Sequence, residues 1–391
     1  MHIGLIGSSL RENERRAPIH PRHFPALAPE VQQKLVIEKG YGERFNVSDK
    51  ELAPFVQAFA TRDEILRRAQ LVILAKPMEA DLHALREGST LWGWLHFVLY
   101  GHLADIAIER RLSVITWEGM YEGAFSGGRR LHTFFENNML AGYSGVIHAL
   151  GRMGIDGRFG PARRVIVIGY GYAGRGAVMA LQSMGFKEVV VFTQRDPSSI
   201  EEPMLDAQYR KLGIDSAGRA TAVDDNGNEQ PFVSELRSSD IIVNCIVQDP
   251  EMPIMFVAEE EVAKLDHPCL IVDISCDPGM GFPFSRTTTF EKPTFKVGKM
   301  TICAVDHTPA YHWDAATWGI SKALVPHIAT VASGPKQWRK NSTISDAIEI
   351  ENGMILNRKI ISFQDRSSVY PFKRSPSAYP APTPAISVQV S

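Results

Sequence analysis

The stretch Arg164 to Met179, RVIVIGYGYAGRGAVM, constrains the chain more than any other. A short apolar run from Val165 to Ile168 enters Gly169-x-Gly171-x-x-Gly174, after which Ala, Val and Met recur at helical spacing. That order predicts strand, glycine turn, helix. The three glycines have separate tasks: a tight turn out of the strand, room for a pyrophosphate against bare backbone, and close packing of helix on strand. The helix start then points unpaired N–H groups at the phosphates. Glycine also punctuates ordinary βα turns, but here it lies between the elements that a dinucleotide site requires. The expected cofactor loop is Gly169, Gly171, Tyr172, Ala173 and Gly174.

Around this turn lie 391 residues, 44% hydrophobic and 22% charged, enough for two domains with sizeable cores. No apolar run approaches the roughly 18 uncharged residues of a membrane span, and the opening MHIGLIGSSLRENERR lacks the basic-then-apolar order of a signal peptide. A cytoplasmic protein without membrane contact is expected. A net charge of -2 offers nucleic acid no basic field, and the pairs Arg15/Arg16, Arg129/Arg130 and Arg163/Arg164 are local features. Cys245, Cys269, Cys276 and Cys303 fall mostly in apolar, strand-like runs without C-x-x-C spacing, so reduced core thiols and no metal site are expected.

Before the turn, HIGLIG reads as a strand, HFPALAPEVQQKL as a helix, LVIEKGYG as strand and turn, DEILRRA as a helix and LVILAK as a buried strand. MLAGYSGVIHALGRMGI is a long amphipathic segment leading into the glycine turn. Beyond it EVVVF, DIIVNCI, LIVDI and TICAV read as strands, SAGRATAVDDNGNEQPF as a loop or hairpin at the sheet edge, and TWGISKALVPHIATVA as helix. The expected fold is α/β: two Rossmann-like domains, each a mostly parallel sheet flanked by helices, with the active site in the cleft between them. Residues 1–137 with 317–370 form the substrate domain, 138–316 the dinucleotide domain, and the Pro/Ser-rich 371–391 a flexible tail.

An acid about 20 residues beyond the glycines reads the ribose hydroxyls in NAD-binding folds. Here the strand ends in Thr193-Gln194-Arg195, a hydroxyl and a cation where NAD would want an acid. Arg195 suits a 2′-phosphate, which favours NADP over NAD, with Asp196 as the competing reader. Cys245 and Ile246, at the end of DIIVNCI, are further cofactor-contact candidates.

Several dispersed motifs, in one order over residues 1 to 332, resemble the alanine dehydrogenase and transhydrogenase superfamily. Asn13-Glu14-Arg15-Arg16-Ala17-Pro18-Ile19-His20-Pro21 is similar to its N-E-x-R-V-A-x-x-P opening; LVILAKPME places Lys76, and LREGSTLWGWLH places His96, at its lysine and histidine positions. IVDISCDPG carries Asp277, and SRTTTFEKPTFKV resembles S-R-P-T-T-x-x-x-P-T. Val305-Asp306-His307-Thr308-Pro309 is similar to the V/I-D-H-x-P of lysine-forming saccharopine dehydrogenases, where alanine dehydrogenases carry V-A-N-M-P. DIIVNCI and the stretch from Arg129-Arg130 to Ala141-Gly142-Tyr143 resemble the same branch, and GWLH resembles carboxyethylornithine synthases. The loop Pro278-Gly279-Met280-Gly281 matches neither branch.

The resemblance implies Lys76 and His96 as catalytic residues, with Arg16, Arg130, Asp277, Asp306 and His307 binding an amino acid and a 2-oxo acid; His312 and Asp314 compete with Asp306 and His307. A homo-oligomer is compatible with this reading. The implied reaction condenses an amine with a 2-oxo acid and reduces the imine by hydride. Its proton transfers need a group poised near neutrality, which histidine is, whereas a lysine at about 10.4 needs burial or a nearby cation. Alternatives are an ammonia-using amino-acid dehydrogenase, a reductase of another imine, and a dinucleotide-binding regulator without chemistry.

Overall fold

The structure, a computed structural model, describes residues 2–123, 130–224, 226–249 and 251–375. Arg129 and the segment from 376 onward lie outside the described residues. The chain divides into two compact units, Met1–Phe135 with Trp313–Ser391, and Glu136–His312. Each is α/β, built on its own mostly parallel sheet flanked by helices.

The first unit holds an eight-stranded sheet. Its parallel part runs Ser113–Thr116, Thr90–Gly93, Leu71–Ile73, Ile3–Leu5, Leu35–Glu38 and Ala58–Ala60, and Ile348–Glu351 with Met354–Ile355 extend it antiparallel. The central strands are short and buried on both faces, as a sheet covered by helices on each side requires. The expected single helix at HFPALAPEVQQKL is instead two short turns, Pro21–Ala26 and Pro29–Gln32. Pro25 and Pro29 cannot donate the hydrogen bonds that would join them. The segment TWGISKALVPHIATVA is likewise interrupted, as Trp313–Leu324, Val325–His327 and Ile328–Ala332, with Pro326 at the break.

The start of the expected tail is packed. Phe372 is buried in a cluster with Ile360 and Leu103, and Arg374 pairs with Asp105. One aromatic in an otherwise polar stretch is sufficient to seat it.

The second unit holds nine strands. Val165–Ile168 lies between Val189–Thr193 and Ile241–Asn244, followed outward by Cys269–Asp273 and Met300–Cys303, all parallel. The expected edge hairpin is larger than read. Ala207–Ile214, Ala220–Val223 and the exposed Glu229–Pro231 form a three-stranded extension. The polar alternation of AQYRKLGI concealed its first strand.

All four cysteines are buried and unbridged, and burial pushes the thiols of Cys245, Cys269 and Cys303 up, out of the reactive range. Among the described residues no group of three or more His, Cys, Asp or Glu is arranged to hold a metal, and no helix is long and apolar enough to cross a membrane.

Two helices flank the glycine turn, Phe135–Met153 before its strand and Tyr172–Ser183 after it. They cross backbone to backbone, because Gly142 faces the Ala173 carbonyl and Gly176 the Met139 carbonyl with no room for a Cβ. Gly142→Ala should therefore destabilise the unit by about 1–3 kcal/mol. Gly151→Ala, in the same helix and facing open space, should be neutral or stabilising by about 0.5–1 kcal/mol. Urea denaturation of the two variants checks this contrast.

Candidate active site

In the first unit the sequence brings its candidates to the carboxyl ends of neighbouring strands. Lys76 follows Leu71–Ile73 and His96 follows Thr90–Gly93. Lys76 Nζ and His96 Nε2 are 3.2 Å apart. With the ammonium donating, the imidazole accepts at Nε2 and carries its own proton on Nδ1. Two cations at that spacing disfavour each other.

His96 has φ +50, a left-handed backbone rare for a non-glycine residue. Glu118, which no motif marked, holds it there. Its Oε1 accepts from the His96 N–H at 2.5 Å and the Leu95 N–H at 3.3 Å, and lies 3.7 Å from His96 Nδ1. That last distance is ion-pair range rather than a hydrogen bond.

Arg16 belongs to the same cluster. Its guanidinium lies 5.0 Å from the Trp94 ring centre, and Lys76 Nζ 5.9 Å from the same ring. Glu14 takes one edge of the buried Arg16, at 2.8 Å to Nε and 2.5 Å to the terminal nitrogen. Glu14 and Trp94 both lie inside sequence motifs, but only their contacts reveal that they orient the arginine and separate the two cations. Arg130 is engaged elsewhere, with Asp346 at 2.5 Å and the Tyr121 carbonyl at 2.8 Å.

In the second unit the three glycines of the turn differ in what surrounds them. Gly169 adopts φ +93 and lies against Cys245 and Ile246. A Cβ on Gly174 would strike the Gly169 carbonyl, whereas one on Gly171 would meet nothing within 4 Å. That open side, at the start of the twelve-residue helix Tyr172–Ser183, fits a pyrophosphate. Arg195 donates to the Tyr170 carbonyl within the turn, which sets its guanidinium at the rim. Thr193 is buried and accepts from the Arg195 N–H, Gln194 is exposed, and Asp196 caps Pro197–Ser199 by accepting from Ser198 at 2.8 Å and 2.6 Å.

Asp277 ends the loop after Cys269–Asp273. Buried Asp273 fixes that loop by accepting from Asn244 Nδ2, the Cys276 N–H and Ser285 Oγ, at 2.8, 3.0 and 2.5 Å. Burial and then the charge of Asp273 raise the Asp277 carboxyl to about 6. His307 is buried, pairs through Nδ1 with Asp306, and packs on Phe290. Of their competitors, His312 bonds Ser144 at 2.8 Å, and Asp314 pairs with His20 in the first unit at 3.2 Å.

Residues 9–138 match the family described as Alanine dehydrogenase/PNT, N-terminal domain, and residues 143–358 its C-terminal domain. The chain belongs to the alanine dehydrogenase/PNT family. It is an oxidoreductase of that superfamily. It is similar to the alanine dehydrogenase of Mycolicibacterium smegmatis, 24% identical over 91% of this chain and 95% of that one. It is also similar to the N(5)-(carboxyethyl)ornithine synthase of Clostridium botulinum, 22% identical over 81% and 90%. In fold it is similar to an L-alanine dehydrogenase structure, with TM-score 0.69, 16% identity, and 93% and 99% of the two chains covered.

A carboxyl raised in the folded state costs stability once it ionises. The wild type should therefore lose stability relative to Asp277→Asn as pH rises from about 4 to about 6, the gap levelling at about 3 kcal/mol above that. Denaturant titrations across this range measure it.

Proposed function

We propose that the chain is a nicotinamide-dependent reductase joining an amino-acid amine to a 2-oxo acid as a secondary amine, or catalysing the reverse. The observation that carries this reading is the Lys76–His96 contact at 3.2 Å beside Arg16 on the Trp94 ring. It combines a proton-transfer pair with a carboxylate receptor.

In this reading Arg16, oriented by Glu14, pairs with a substrate carboxylate. The Lys76 ammonium makes the carbonyl carbon more electrophilic and gives its proton to the oxo oxygen, which becomes a hydroxyl as the amine adds. His96 takes the proton released as the amine adds, and returns a proton to the hydroxyl that leaves as water. Asp277, held near neutrality, anchors the substrate amine or the nicotinamide region. When bound, the nicotinamide supplies the hydride that reduces the imine. Arg130 would meet a substrate carboxylate only by giving up Asp346.

Asp306-His307-Thr308-Pro309, in place of V-A-N-M-P, supports an amino-acid amine over ammonia. The alanine dehydrogenase relatives support the second reading, ammonia as the amine. Arg195 at the rim of the turn, with Asp196 spent as a cap, supports NADP over NAD. Cytoplasmic location and a homo-oligomer belong to the same proposal.

NADPH oxidation should require a 2-oxo acid together with an amino acid; turnover with ammonia alone would establish the ammonia reading instead. His96→Ala should lower kcat by about 10²–10⁴-fold while the chain still folds. Arg195→Ala should raise KM for NADPH by about tenfold or more and leave NADH little affected. Steady-state kinetics with both cofactors separate these outcomes.

A further inference from the structure

The strand Ile348–Glu351 breaks register against Ser113–Thr116 at a single residue. Ile348 pairs with Ile115 but Ile350 with Val114, so Glu349 is an inserted residue, a bulge. Bulges re-aim side chains, and this one buries a carboxyl group, leaving Glu349 8% exposed. Its backbone carbonyl accepts from the N–H groups of Leu356 and Asn357, and its Oε1 from Asn357 Nδ2 at 3.2 Å. Its Oε2 is closed off from solvent without a hydrogen-bond partner.

Glu118 Oε2 is in the same condition. Glu118 follows two residues after the strand that pairs with the bulge, and its charge acts on Glu349. The groups acting on Glu349 are thus Glu118, Thr116 and Asn357. Those facing Glu118 include the N–H groups of Leu95 and His96, the His96 ring with Lys76 beyond it, His132 and Tyr121. Two neighbouring carboxyl groups, one of them buried and the other partly so, do not both ionise readily. Burial first, and Glu118 second, push Glu349 up to about 8.

We propose that Glu349 is a positioning residue for His96: it keeps its proton at neutral pH, so that Glu118 is the only charge of the pair and sets the electrostatic surroundings of the imidazole. The role rests on reading His96 as the acid/base group. When Glu349 releases its proton to solvent, a second negative charge arrives behind Glu118. The imidazolium form is then favoured, and His96 binds its proton more tightly.

The test is an NMR titration of the full chain with isotope-labelled histidine, the His96 signals being assigned with His96→Asn. In the wild type they should show a second inflection near pH 8. Glu349→Gln, which puts a neutral amide in the same place, should abolish it. No second inflection in the wild type, or an unchanged one in Glu349→Gln, overturns the proposal. Should that variant fail to fold, infrared spectra of the wild type decide. A carboxylic-acid band present near neutrality and lost at about pH 9.5 supports it; no such loss overturns it. Neither readout requires turnover, so an inactive amine and oxo-acid pair would refute the reaction assigned above and leave this result standing.

Discussion

The first unit's site depends on one carboxylate oxygen. Glu118 Oε1 accepts from two successive backbone N–H groups, those of Leu95 and His96, and so holds His96 in a left-handed conformation. A non-glycine residue there is strained by an amount of order 1–3 kcal/mol, which charge-assisted hydrogen bonds offset. With the backbone so turned, Nε2 reaches Lys76 while Nδ1 stays on the side of Glu118. The direction of the ring and its contact with the lysine both depend on that one acceptor. Trp94, two residues earlier, then places Arg16 and Lys76 against one indole instead of against each other.

The second unit solves a different problem, bringing backbone close to backbone while leaving one side of a turn open. It does so by leaving side chains out. Gly142 and Gly176 let two helices touch, Gly174 lets a helix rest on the turn, and Gly171 leaves open space. Charge enters from the rim through Arg195, while Asp273 spends its acceptors inward on Asn244, Cys276 and Ser285 and thereby sets the loop that presents Asp277.

Much of this was legible in the sequence because it is local. Strand, glycine turn and helix are contiguous, and Lys76 and His96 each follow a short apolar strand. Glu118 and Glu349 were not legible, since each acts across the sheet on residues distant in sequence, and IEIE reads as polar alternation instead of a bulged strand with a buried acid. The helix read through HFPALAPEVQQKL failed for a local reason, its prolines outweighing its apolar period. Asp277 was found as a motif residue, but its raised proton affinity comes from Asp273 and burial, which spacing does not encode.

The antiparallel extension of the second sheet decides what that sheet presents at its border. A parallel sheet that stopped at Ala207–Ile214 would present a long row of unpaired amides and carbonyls, a template for another strand. Instead the sheet tapers to three exposed residues, Glu229–Pro231, one of them charged and the last without an N–H to donate. At the opposite edge, Thr294–Val297 is only four residues long and points Lys296 outward. Both borders of the sheet thus discourage growth by strand addition.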